Sequence, residues 1–472
     1  MTDLKKQAAD ESTVSETAPR VIPPAEHPIT LDMIDRDALT VLRRLGEAGF
    51  AAYLVGGGVR DLYLGGTPKD FDISTNARPG QIRKLFRNSR TIGSRFRLVQ
   101  VFFHKNHVIE VSTLRSLSEH DLDGPQAILA PNNTFGTLDQ DAQRRDLTIN
   151  SLFFEIENKT IIDYVGGIDD LDHSLVRIVG DPDRRIHNDP VRMLRAIRHA
   201  ARNNFRIERQ SWQTICEQHH KLSLCPPSRL RDELFRDLHG GYFKAWLELA
   251  LDSGLFFDIL PLYERTLCEK ACGDESCCDQ LRRVVAVIDR LTMKVKESGG
   301  QPLHNDFLVA FLLIPWANVR FDLIAQRLKG AAAFQFSKKL RQALDEEIGA
   351  QLNLRRSSRQ EMVTLLANLP FFIQHHQEGD DGWPKWLRKK SYFKKCSLFF
   401  ACWQDAVAEQ EVPDQLLDIV RPAAVEGSER RAKGRRGKRH SGGGVRPAFS
   451  SKHQDGIFGL KNRMSHGKKK NR

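Results

Sequence analysis

Three consecutive glycines, Gly56-Gly-Gly58, fall between an apolar alternating run and a segment with helical spacing, and this constrains the chain more than any other feature. The segment Leu54-Val-Gly-Gly-Gly-Val-Arg-Asp61 reads as a tight strand-to-helix turn. Glycines there let backbone amides approach a phosphate, and a helix N-terminus favours an anion. Gly57, Gly58 and Arg60 are therefore candidates for nucleotide binding, although a glycine turn is equally compatible with a purely structural role. Apolar alternation predicts strands over residues 51–55, 71–74, 97–103 and 107–113. From Pro190 onward the pattern changes: Val191, Leu194, Ile197, His199 and Ala201 recur at roughly helical spacing, as do most later apolar residues. Asn188-Asp189-Pro190 and Pro226-Pro227-Ser228 read as helix starts.

The predicted class is α+β: an N-terminal head with a mixed β-sheet, then all-α neck and body domains and a disordered basic tail. A chain of 472 residues exceeds what one core usually serves. The expected divisions are a disordered leader at 1–30, a mixed α/β segment at 31–175, two helical segments at 176–270 and 271–426, and the tail at 427–472. The longest apolar stretch, 307–317, is far below the roughly 18 residues of a spanning helix, and the N-terminus lacks an apolar signal core. These features predict a soluble cytoplasmic protein with no membrane role. Of the eight cysteines, Cys268, Cys272, Cys277 and Cys278 cluster, but their spacing fits no familiar zinc finger, and free thiols are expected.

Lys69-Asp-Phe-Asp-Ile-Ser-Thr75 places Asp70 and Asp72 two apart on a β-type run, so both carboxylates share a face. Two like charges that close repel each other unless a divalent cation neutralises them, and hard oxygen ligands suit Mg2+ or Mn2+. Glu110, in an apolar strand, is one candidate third carboxylate and needs a partner, either a metal or an arginine such as Arg115. Asp146, in Arg144-Arg-Asp-Leu-Thr-Ile-Asn150, is the other.

Formal net charge is +12, and its location matters more than its size. Residues 427–472 hold 15 Lys or Arg against Glu429 and Asp455, leaving 57 basic and 58 acidic groups in residues 1–426. Such a Gly-rich basic segment cannot bury apolar surface, repels itself and attracts phosphate through counterion release. Arg430, Arg431, Arg435, Arg436, Lys438 and Arg439 are its candidate RNA contacts.

The run Gly56-Gly-Gly-Val-Arg-Asp61 with Asp70-Phe-Asp72, then Arg144-Arg-Asp146 with Asn150, then Asp163-Tyr-Val-Gly-Gly167, resembles the class II nucleotidyltransferases. These comprise bacterial poly(A) polymerases and CCA-adding tRNA nucleotidyltransferases. The resemblance implies Asp70 and Asp72 as metal ligands, and Arg145, Asp146 and Asn150 as contacts of the nucleotide's ribose and phosphates. It implies that Asp189, Arg192 and Arg195, in Asn188-Asp-Pro-Val-Arg-Met-Leu-Arg195, read the base. Asn188 departs from the family's usual Glu.

Three features lean toward the polymerase branch: the Phe96 region in Ile92-Gly-Ser-Arg-Phe-Arg-Leu-Val-Gln-Val101, where Ser94 replaces a basic residue, the segment Pro227-Ser-Arg-Leu-Arg-Asp-Glu-Leu234, and the basic tail. The activity so implied is template-independent addition of AMP from ATP to RNA 3′ ends, with RNA-decay proteins as partners. A CCA-adding enzyme and a non-catalytic RNA-binding protein are the alternatives.

Overall fold

The computed structural model describes residues 18–93, 98–104, 107–116, 135–268, 277–377 and 383–417. Its head is an eight-stranded mixed sheet ordered β1-β8-β7-β2-β3-β6-β5-β4. The strands are β1 (Arg20–Ile22), β2 (Ala52–Val55), β3 (Asp72–Thr75), β4 (Ser89–Ile92), β5 (Leu98–Phe102), β6 (Val108–Thr113), β7 (Phe153–Glu155) and β8 (Thr160–Asp163). In β5 and β6, Val99, Val101, Ile109 and Val111 alternate into the core, the period that a strand with one buried face requires. Their register is Val99↔Val111 and Gln100↔Glu110. β3 pairs antiparallel with β2 but parallel with β6, and that parallel step is bridged by helix α3 (Pro79–Leu85) and the β4–β5 hairpin.

Helix α1 (Arg36–Glu47) covers the sheet with Ala38, Leu39, Val41, Leu42 and Leu45, all buried at helical spacing. Its N-cap, Asp35, accepts from the amides of Asp37 at 2.8 Å and Ala38 at 3.1 Å. Helices α2 (Gly57–Tyr63), α4 (Leu138–Gln143) and α5 (Gly167–Asp172) complete the head.

The leader expected at 1–30 is corrected over part of its length. Val21 pairs with Ile162 of β8, and Ile22 and Ile29 are 1% and 3% exposed. A few apolar residues in a polar stretch suffice to add an edge strand to an existing sheet, and composition averaged over thirty residues conceals them. Residues 1–17 lie outside those described.

Beyond the head every substantial element is helical, as the spacing predicts. The neck contains α6 (Pro182–Asn188), α7 (Val191–Asn203), α8 (Arg209–Gln218), α9 (Pro227–Leu238) and α10 (Phe243–Asp252). It is joined to the head by a two-stranded parallel ladder, β9 (Leu175–Val176) with β10 (Arg206–Ile207). In the body, the apolar stretch 307–317 is split between the helices Asn305–Leu312 and Ile314–Phe321 and is buried throughout. Among the described residues no helix is long and apolar enough to cross a membrane. Cys278 carries a free thiol and Cys277 is buried, while the rest of that cluster lies outside the side chains described.

Candidate active site

The glycine turn and the aspartate pair meet because of strand register. β2 ends at Val55, whose partner across the ladder is Asp72, the first residue of β3. Gly56 then turns the chain with φ +68° and ψ −132°, a conformation that essentially only glycine adopts without strain. Gly58 packs beside the Asp70 carbonyl, where a Cβ would stand in ordinary contact with the oxygen at 3.6 Å.

Ile73 is fully buried, so Asp72 lies on the opposite face of β3. Ile73 pairs with Val111, and one step back along both parallel strands brings Glu110 beside Asp72. Gln100 Nε2 donates to Glu110 Oε1 at 2.9 Å, which supplies the partner that this strand carboxylate needs. The Asp72 carboxyl is pushed up to about 6, first by the protein mass around it, although the residue keeps exposed surface, and then by Glu110 and Asp70; Arg145 partly offsets them. Burial and the two neighbouring carboxylates together outweigh Arg145, and a divalent cation fits such a set of hard oxygen donors. Among the described residues, the group of three metal-type ligands that closes within 4.8 Å is a different one: Asp35, Asp37 and His107. That group is accounted for by helix capping and by a 2.7 Å hydrogen bond between His107 Nδ1 and Asp37 Oδ2.

Arg145 reaches the same face. Its Nη2 donates to Ser74 Oγ at 3.2 Å, its Nη1 to the Asn150 carbonyl at 3.4 Å, and its guanidinium carbon lies 5.0 Å from the centroid of the Phe153 ring. The anchor is Asp141, which is fully buried and accepts from Arg145 Nε at 3.1 Å and Nη2 at 2.9 Å, and from Arg144 Nε at 2.8 Å. Burial alone would raise the Asp141 carboxyl, but Arg145 and Arg144 hold it below its ordinary value. Sequence reasoning missed Asp141, yet its i, i+4 spacing from Arg145 was a usable signal.

Asp146 points the other way, into the neck. Arg192 Nη1 lies 2.6 Å from its Oδ1, and Arg195 Nη1 pairs with its Oδ2. Burial would raise this carboxyl, but Arg192, Arg195 and Arg185 depress it well below the usual carboxylate range. Arg185 and Arg192 also donate to the Arg145 carbonyl, at 2.6 and 3.1 Å. Asp189 accepts from Arg229 Nη2 at 2.8 Å and forms no pair with Arg192. In this corner Asp189 Oδ1 and Arg192 Nε are buried without a hydrogen-bond partner.

Arg60 departs from expectation. It is 1% exposed and its fork is committed inward, to Asp61 Oδ1 (2.9 and 2.6 Å), to Asn150 Oδ1 and to His199 Nδ1 at 3.2 Å. Asn150 Nδ2 in turn lies 3.2 Å from His199 Nε2. A guanidinium sequestered this way joins the glycine helix to α7 and commits four of its five N–H donors within the fold. His199, read from spacing as one more core position, does face inward, but as a polar link. Asp163 also has a local role: its carboxylate accepts from the amides of Val165 and Gly166, both at 3.0 Å, and of Ile168 at 2.9 Å, closing the turn into α5. The Phe96 region and the six candidate cations of the tail lie outside the described residues.

Residues 52–177, which span the glycine turn, the carboxylate face and Arg145, match the family model described as Poly A polymerase head domain. That segment is thus similar to the head domain of poly(A) polymerases. Residues 204–267 match the model described as Probable RNA and SrmB-binding site of polymerase A. Poly(A) polymerase I of Escherichia coli O6:H1 is 39% identical over 317 residues, 65% of each chain. The chain thus spans about 65% of the length of that curated relative. A CCA-adding enzyme of Lactobacillus helveticus is 35% identical over 223 residues, 47% of this chain and 54% of that one. A solved CCA-adding enzyme, in its apo form II, superimposes with a TM-score of 0.50 at 19% identity, over 83% of this chain and 96% of the other, and so shares the fold.

Proposed function

We propose that this chain is a template-independent nucleotidyltransferase that extends RNA 3′ ends with AMP from ATP and releases pyrophosphate. The observation that carries the reading is the face formed by Asp70, Asp72 and Glu110 beside the glycine turn, with Arg145 at its edge. Asp70 and Asp72 are the ligands we assign to Mg2+ or Mn2+. Glu110 is the third carboxylate, because Asp146 is already neutralised by Arg192 and Arg195. Bound there, divalent cations supply the charge that makes a 3′-hydroxyl acidic and steadies the oxygens of an in-line displacement. The 3′-oxygen forms a bond to the α-phosphorus as the bond to the pyrophosphate oxygen breaks. Gly57 and Gly58 leave room for the triphosphate, and Arg145 lies where it can contact it.

Asp189 Oδ1 and Arg192 Nε offer one acceptor and one donor, the complement of an amine next to a ring nitrogen. Adenine and cytosine both carry that edge. We assign base reading to these two residues, with Arg195 and Asp146 positioning Arg192. Adenine is preferred because the similarity to the poly(A) polymerase relative extends further along the chain than that to the CCA-adding enzyme. Activity on varied transcripts in the cytoplasm, and association with RNA-decay proteins, belong to the same proposal, as do the division into head, neck and body and the RNA-holding role of the tail.

The test offers each triphosphate separately with an unstructured RNA and with a tRNA lacking its end. Long A-tails on the unstructured RNA are expected; strict addition of C, C and A to the tRNA would overturn the polymerase reading. Replacing Asp70 and Asp72 with alanine should abolish addition while sparing RNA affinity. Activity surviving in that variant would remove the metal-ligand assignment.

A further inference from the structure

The body carries a feature that the catalytic face does not use. Residues 385–395 hold six Lys or Arg and no acid, all six side chains are exposed, and Trp386, Tyr392 and Phe393 are interleaved among them. In a chain whose residues 1–426 are close to neutral, such a local excess is unusual. Of the six, Lys395 is held by Glu361 at 2.5 Å. Trp386 is 49% exposed and stands 5.4 Å from Phe371, centroid to centroid.

Beside this strip opens a cavity of about 560 Å³, the size of a small-molecule site. Its floor is aromatic: Trp383 and Phe393 are only partly buried, and Trp383 lies edge-on to Phe400 at 5.5 Å between centroids. Its rim is polar, with Gln404, Gln410 and Glu411. Gln404 Nε2 is 2.8 Å from His376 Nε2, which orients the amide. Partly exposed aromatic rings, amides that can meet a base edge, and adjacent exposed cations are the combination that holds a single-stranded nucleic acid: bases stack and phosphates track the charge. A lipid surface would use the cations and Trp386, but would leave the recessed polar rim without a role.

We propose that residues 383–395 and the cavity beside them form a second single-stranded RNA site, in which a base enters over Trp383 and Phe393 while Lys389 and Lys390 hold the flanking phosphates. This rests on the reading of the chain as an RNA-extending enzyme, but its test does not require catalysis. Binding of a 20-nucleotide oligo(A) to the full chain, without triphosphate, is measured by fluorescence anisotropy alongside quenching of tryptophan emission. Trp386→Ala alone, and the pair Lys389→Glu with Lys390→Glu, alter exposed side chains; Trp383→Ala probes the cavity, with its thermal unfolding measured to confirm the fold.

About fivefold or greater weakening is expected in each variant, with a reduced salt slope in the charge pair and less quenching in the tryptophan variants. The Michaelis constant for ATP should not move. Unchanged affinity and quenching in Trp386→Ala and in the charge pair would overturn the proposal. So would loss of binding to phosphatidylglycerol vesicles with RNA affinity intact. If wild type adds no nucleotide to any RNA yet these variants still weaken RNA binding, the catalytic reading fails and this site stands.

Discussion

At the scale of single residues, the neck and its junction with the head depend on charges that neutralise one another out of water. Arg198 is 5% exposed, lies 2.6 Å from Glu233 and is also paired with Asp237, which is fully buried. Arg198→Met would leave the buried Asp237 without its paired cation and Glu233 with only the longer contacts to Arg195 and Arg236, and chemical denaturation should show a loss of about 3–5 kcal/mol. Asp146 makes a separate prediction about pH. Its folded pKa is depressed by Arg192 and Arg195, so its contribution to stability is fully present above the ordinary carboxylate value of about 3.9 and disappears as pH falls below it. Asp146→Asn should therefore be markedly less stable than wild type at pH 7, and the gap should narrow as unfolding is followed down toward pH 3. A gap independent of pH would contradict the assigned ion pairs.

At the scale of elements, two turns place the catalytic face. Gly56 turns β2 into α2 at positive φ, where an added Cβ would meet Arg145 Nη1 only at 3.5 Å. The expected penalty of Gly56→Ala is therefore backbone strain rather than collision, about 1–3 kcal/mol, with reduced catalysis as the glycine turn shifts. The Asp163 turn depends on three amides that share one carboxylate. Asp163→Ala should destabilise the fold by about 1–3 kcal/mol, measured by urea titration, because those donors lose their acceptor. Its motif carries the family resemblance, yet its geometry is that of a helix cap. The glycine turn, the positions of β2, β3, β5 and β6 and the helices after Pro190 were legible in sequence, because period two and period 3.6 are properties of the local chain; β4 was not among the predicted strands. The three-residue β1 was not, since an edge strand so short exists only because β8 is there to pair with it.

At the scale of the whole molecule, charge is distributed unevenly along a chain with a near-neutral first 426 residues. Truncation after residue 426 removes 15 cations and should lower both RNA affinity and the slope of its logarithm against that of salt concentration, measured from 50 to 200 mM salt. Equal slopes would detach the tail from RNA binding. What the sequence by itself determined was the order of elements, the α+β class and the identity of the acidic pair, because alternation, spacing and motif residues are written locally. Which carboxylate stands beside that pair was decided by strand register: Glu110 reaches Asp72 only because β6 lies parallel to β3. The fates of Arg60, Asn150 and Asp146 were likewise tertiary. Each is a polar group that had to find a partner once buried, and those partners, His199, Arg192 and Arg195, arrive on a helix about fifty residues or more further along the chain.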